Sequence, residues 1–190
     1  MALDDEVARL REAGATDQAA TVAIRALGPE ILGYLNALLH DSSEASEVFS
    51  QWAEDVWKGL PGFRAQASLR TWVYRLARHA ALRHRRDPFR RRGEHFRTTQ
   101  ASAVAGSIVA STVIRQEWRA QQLARLRQTL EEDEQTLLIL RVDRGLSWGE
   151  VAEVLAGEEG ERPDEAALRK RFERLKDKLA RAAKEEGLID

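Results

Sequence analysis

The feature that most constrains this chain is the period of its apolar residues, which is helical wherever it is convincing. No stretch of four or more residues alternates apolar and polar with the β-branched enrichment of a strand. Apolar side chains three and four residues apart share one helix face, and such a face is buried only against another element. The expectation is therefore an all-α protein: two small helical bundles joined by a linker, the C-terminal one containing a helix-turn-helix. Helices are predicted over about 3–13, 17–27 and 29–40, the last with Pro29 in its first turn. One over about 43–59 is capped by Ser42 or Ser43 and stops before Pro61-Gly62, and a longer one runs from Ser68 to Arg86, ended by Asp87-Pro88. Further helices are predicted over about 113–129, 131–143, 147–156 (after Gly145, with Ser147 as cap) and 164–185, after Pro163. Residues 87–112, DPFRRRGEHFRTTQASAVAGSIVAST, are basic and then small, without a strong amphipathic face, and read as the linker. The expected organisation is an N-terminal helical extension (1–28), a first domain (29–86), the linker (87–112) and a second domain (113–190).

Composition narrows the classes. The chain has 190 residues and no cysteine, which removes disulfides, thiolate zinc sites and cysteine nucleophiles together. Met1 to Asp17 is acidic rather than basic and then apolar, and no apolar run approaches the roughly 20 residues of a membrane span, so a cytoplasmic protein without membrane contact is expected. His40, His79, His84 and His95 show no metal-ligand spacing with carboxylates, and His79 and His84 sit among arginines that repel a cation. No phosphate loop or nucleophile elbow is present. Neither catalytic residues, metal, cofactor nor small-molecule substrate is expected.

A net charge of −1 conceals strong segregation. Residues 1–57 carry 3 basic and 11 acidic side chains, and residues 58–97 carry 12 and 2. Residues 98–166 carry 7 and 13, and residues 167–190 carry 8 and 5. Two basic segments thus flank an acidic one. In the first, aromatic and apolar residues recur at helical spacing among the arginines, which separates it from a solvated tail and points to a polyanion.

The helix SLRTWVYRLARHAALRHRR has Leu69, Val73, Leu76 and Ala80 as its core face, with Thr71, Tyr74, Arg75, Arg78 and Arg85 expected opposite. Trp72, Arg75 and His79 lie along one edge, an aromatic beside cations that suits an unstacked base; plain core is the competing reading of Trp72. The preceding turn, PGFRAQAS, leaves Phe63, Arg64 and Gln66 exposed at the helix start, and its plainer reading is a connector. At the C-terminus, Leu146, Val151, Val154 and Leu155 pair with the stripe Leu168, Phe172, Leu175 and Leu179. Arg169, Lys170, Glu173, Arg174 and Asp177 project away and would meet a major groove if the pair is a helix-turn-helix. An ordinary charged hairpin is the alternative. The carboxylates among Glu44, Glu47, Gln51, Glu54 and Asp55 are expected mainly on an exposed face.

In this order the features resemble the extracytoplasmic-function sigma factors of bacterial RNA polymerase. FRAQASLRTWVYRLARHAALRHRR resembles that family's stretch for promoter melting and minus-ten recognition. EASEVFSQWAEDVWKGL resembles its helix that docks on the polymerase β′ clamp. LEEDEQTLLILRVDRGLSWGEVAEVL with ALRKRFERLKDKL resembles its domain that reads the minus-thirty-five element and contacts the β flap. The resemblance implies minus-ten contacts from Phe63, Arg64, Gln66, Ser68, Arg70, Thr71, Trp72, Tyr74, Arg75, Arg78 and His79. It implies minus-thirty-five contacts from Ser147, Trp148, Ala167, Arg169, Lys170, Arg171, Glu173 and Arg174. It implies polymerase contacts from Glu44, Glu47, Val48, Gln51, Trp52, Glu54 and Asp55. Core RNA polymerase and promoter DNA are the implied partners, with an anti-sigma factor as a further one. The chain departs from the family at Ser50-Gln51-Trp52, where a Gln-Glu-Thr run is usual, and at His79, where an Asn is frequent. It also departs at GEEGERPDE, which lengthens the turn of the helix-turn-helix. A stand-alone helix-turn-helix regulator and a degenerate sigma-like interaction protein are the alternative functions.

Overall fold

The computed structural model describes residues 2–86, 99–112, 130–157 and 161–185. Among them regular structure is helical throughout, and the chain divides into two compact units, residues 1–115 and 116–190. The expected helix at 113–129 and the basic stretch 87–98, His95 included, lie outside the described residues.

In the first unit α1 (Leu3–Glu12) is followed by α2 (Thr16–Leu39), α3 (Ser42–Gly59), a tight turn at Leu60–Gly62, α4 (Leu69–Arg86) and α5 (Thr99–Thr112). The central element is α2, which packs against each of the other four helices. It is one helix where two were expected. Pro29 removes a backbone donor, normally a cost of about 3 kcal/mol in a helix interior, yet Ile24, Leu27, Ile31 and Leu32 on either side of it are all buried. That burial offsets the proline, so residues 1–28 and 29–86 share a continuous helix. By length and composition α2 also matches a membrane span, contrary to the expectation that no apolar run approaches one. Its apolar side chains are spent on the core, Tyr34 and Leu35 among them. The cap of α3 is Asp41 rather than Ser42 or Ser43: its carboxylate accepts from the N–H groups of Ser43 (2.8 Å) and Glu44 (2.9 Å).

Residues 99–112, expected to be connecting chain, form a helix packed on α2 and α3 through Ala101, Ala105 and Ile108. Small side chains replace a wide apolar stripe here because the approach is close. A Cβ added at Gly28 would stand 2.6 Å from Ile108 Cδ1 and 3.2 Å from Phe49 Cζ. Across the core, Phe49 stacks on Trp52 at 5.0 Å, and Trp52 Nε1 donates to the Val73 carbonyl at 3.0 Å.

The second unit contains α6 (Glu132–Leu138), which continues into a wider turn over Ile139–Asp143, then α7 (Trp148–Val154) and α8 (Glu165–Glu185). The wide turn ends where Arg144 N donates to Ile139 O at 3.0 Å. Gly145 then takes the left-handed region (φ 64°), and Leu146 N reaches back to Leu140 O at 3.0 Å. Ser147 starts α7 as expected, with a reciprocal pair of bonds to Glu150. The apolar stripe of α8 turns inward as expected, but Leu175, flanked by Phe172 and Leu179, packs with Leu130 and Leu138 rather than with the α7 set.

Candidate nucleic-acid interface

The loop from Pro61 to Ser68 and the exposed side of α4 bring most of the first predicted set together. Phe63 is half-buried, and its ring lies 5.0 Å from Trp72, tilted by 39°. Trp72 is half-buried too, seated over Gly59, where an added Cβ would meet its ring at 3.1 Å. Arg64, Gln66 and Ser68 are exposed. Ser68 also starts α4, its hydroxyl accepting from Thr71 N at 3.1 Å. Arg75, Arg78 and His79 are partly exposed on the next turns, one and two turns beyond Trp72.

Three predicted members do not project. Thr71 and Tyr74 were expected opposite the core face but are 3% and 0% exposed. The core face is wider than apolar periodicity indicates because both hydroxyls find partners there: the Thr71 and Ser68 hydroxyls share a 2.8 Å bond, and Tyr74 Oη donates to Glu30 Oε1 of α2 at 2.8 Å. Arg70, half-buried, pairs with the same carboxylate, and its guanidinium lies 5.7 Å from the Tyr74 ring centre. Leu76, assigned to the core, is instead partly exposed, and Arg85 turns back to donate to the Leu38 carbonyl at 2.8 Å. Glu30 itself escaped notice because nothing local marks a partner 44 residues away.

On α3 the predicted docking face is narrower than expected. Val48, Trp52 and Glu54 are buried, at 2%, 0% and 3% exposure. The helix is covered by α2, α4 and α5, so three of its sides are taken. Glu54 keeps an ion pair with exposed Lys58 at 3.3 Å. Glu44, Glu47, Gln51 and Asp55 remain partly exposed. Two of them face the basic end of α4, Asp55 pairing with Arg83 and Glu44 lying 3.8 Å from His84.

In the second unit α8 presents Ala167, Arg169, Lys170, Glu173 and Arg174 to solvent, as predicted, with Arg171 partly exposed and 3.6 Å from Asp133. Asp177 is exposed as well. Leu155, which follows α7 as its C-cap and was expected in the apolar set, is only half-buried. Ser147 is exposed but engaged as a cap. Trp148 is half-buried beside three neighbours: Arg141 and Arg169 over its ring, at 4.9 and 5.9 Å, and Phe172 edge-on at 5.5 Å. It joins α8 to the start of α7 rather than standing free.

The lengthened turn between α7 and α8, of which residues 158–160 lie outside the described residues, is fastened by Arg162. Its guanidinium donates to Glu153 at 2.7 Å and to the Gly149 carbonyl at 3.2 Å, and lies 3.6 Å from Glu165. Sequence reasoning counted this stretch only as acidic and missed the one arginine that ties it to both helices.

Glu134 of α6 is the other anchor of this unit. Partial burial pushes its carboxyl pKa up, but a 2.7 Å bond from Lys178, the Glu131 N–H and the charges of Lys178 and Arg171 together hold it below the usual value. A carboxylate with a depressed folded-state pKa stabilises the fold above its unfolded pKa, about 4.3, and that contribution is lost as pH falls through the folded value. The second unit is expected to lose stability below about pH 4.3, and E134Q to flatten that acid limb in urea titrations at stepped pH. An unchanged acid limb in E134Q would refute the assignment.

Comparison with known proteins carries the same message. The Sigma-70 region 2 family model matches residues 23–92, the segment that holds most of α2, all of α3, the loop and α4. RNA polymerase sigma factor YlaC of Bacillus subtilis is 31% identical over 130 residues, 66% of this chain and 73% of that protein. RNA polymerase sigma-H factor of Pseudomonas aeruginosa is 30% identical over 135 residues, 66% of this chain and 69% of that one. With an all-helical fold, a region 2 match and relatives of this kind, the chain belongs to the extracytoplasmic-function family of RNA polymerase sigma factors.

Proposed function

We propose that this sigma factor directs core RNA polymerase to promoters by reading an opened minus-ten strand with its first unit and a duplex minus-thirty-five element with its second. The observation that carries the reading is the Phe63–Trp72 pair, flanked by exposed Arg64 and Gln66 and followed along α4 by Arg75, Arg78 and His79. Extracting a base costs a few kcal/mol of pairing and stacking. An aromatic platform returns about 1–3 kcal/mol per base. The two nearly balance, so phosphate contacts from Arg64, Arg75 and Arg78 decide whether the strand stays open. Thr71 and Tyr74 are left out of this face because they are buried.

In the second unit Arg169, Lys170, Glu173 and Arg174 face solvent along α8, where Arg suits guanine O6 and N7, and Glu suits cytosine N4. The partly exposed Glu44, Glu47, Gln51 and Asp55 are the residues offered to the β′ clamp, and the second unit is offered to the β flap. Bond chemistry belongs to the polymerase, and the protein acts beside it in the cytoplasm. An anti-sigma factor is a further partner for these faces.

Adding the protein to sigma-free core polymerase with a promoter library should yield transcripts from a defined subset with common minus-ten and minus-thirty-five elements. A complete lack of transcripts would sink the reading.

A further inference from the structure

The N-terminal helix had no assigned role, yet two of its side chains hold the two ends of the loop between α3 and α4. At the start of the loop, Arg11 Nη2 donates to the Pro61 carbonyl at 3.1 Å, and the guanidinium lies 5.7 Å from the centre of the Phe63 ring. At its end, the Asp4 carboxylate accepts from Leu69 N at 3.1 Å, one of the amides left open at the start of α4. The spans are long in sequence, 50 and 65 residues, so neither contact is a by-product of local chain geometry.

The loop needs such support. Ala65 sits at φ 53°, in the left-handed region that a residue with a Cβ rarely takes, so the backbone is held against its own preference. A strained segment persists only where its surroundings fix it. Arg11 Nε is buried without a hydrogen-bond partner, which is unfavourable in itself. The guanidinium therefore stays where it is because of its contacts to Pro61 and Phe63. Below them, Val7 at 1% exposure anchors α1 in the core, so the helix is a fixed base for both contacts.

We propose that α1 is the positioning element of the strand-capturing loop, with Arg11 and Asp4 as its positioning residues. They pre-form the arrangement of Phe63, Arg64 and Gln66 that receives an opened base, so that binding does not have to order the loop. This rests on the assignment of that loop to the opened strand, and the test separates the two.

Holoenzyme carrying R11A or D4A is compared with wild type on a promoter chosen from the library. Opening is read as permanganate reactivity of unpaired thymines, on duplex template and on a heteroduplex already unpaired at the minus-ten position. Each variant should open the duplex about tenfold less well, the factor that ~1.4 kcal/mol represents. Each should recover most of the loss on the unpaired template, because a loop that must order itself is least handicapped where melting is already done. R11K, which keeps the charge, should fall between R11A and wild type. Asp4 is exposed, so D4A carries the test if R11A lowers the melting temperature. Unchanged opening by both variants overturns the proposal, as does an equal loss on both templates, which would place the contacts in polymerase docking or folding. Wild-type protein that opens no promoter overturns the strand assignment, and this inference with it.

Discussion

Replacing Arg75 and Arg78 together by Ala is expected to all but abolish promoter opening while leaving the affinity for core polymerase largely intact. A hydrogen bond to a charged group contributes about 1.5–3 kcal/mol, so two lost phosphate contacts reduce opening by roughly 100-fold or more. The geometry makes the effect selective. Both arginines lie on the turns of α4 after Trp72, on the side away from Val73 and Ala77, which fill the core, and neither belongs to the strip of α3 offered to the clamp. Permanganate footprinting and co-migration with core enzyme measure the two properties separately. Loss of polymerase binding at the same concentration would show that this side of α4 faces the enzyme and not the strand.

Trp52→Ala is expected to act on the fold instead. Trp52 resembles a docking residue by its place in the sequence, but it is fully buried, stacked on Phe49, and its indole N–H is bonded to the Val73 carbonyl. Truncation opens a cavity and removes one of the bonds to that carbonyl, for a loss of about 3–5 kcal/mol, a large part of the stability of a domain this size. Urea denaturation should show the midpoint falling accordingly, with Trp52→Phe recovering most of it by keeping the ring. A small change in midpoint with a large loss of polymerase affinity would return Trp52 to the docking surface.

These outcomes follow the division between what periodicity reveals and what it hides. It places Leu69, Val73 and Ala80 in the core and Arg169, Lys170, Glu173 and Arg174 outside it, because one helix face decides both. It misplaces Tyr74 because a polar side chain is assigned to solvent unless an acceptor is known, and Glu30 belongs to another helix; Thr71 is misplaced although its hydroxyl partner, Ser68, is only one turn away. It misplaces Trp52, Val48 and Glu54 because α3 is covered on three sides, a count that depends on tertiary packing. Thr99–Thr112 went unseen as a helix of the first unit because close packing rewards the alanines that amphipathic patterns discount. Arg11, Asp4 and Arg162 share one cause: each acts across a distance in sequence that no local motif records.

The Arg162 clip has a consequence for how the helix-turn-helix tolerates change. In a short turn, the number of residues sets the angle between the helices, and an insertion rotates the second helix off its target. Here Glu153, the Gly149 carbonyl and Glu165 are gathered on one guanidinium, so a side-chain junction at the base of the turn joins the two helices in addition to their packing. Chain closure becomes only slowly less favourable with added length, by about 0.6 kcal/mol per doubling. A change of length between Gly157 and Glu161 is therefore expected to leave the three contacts of Arg162 in place.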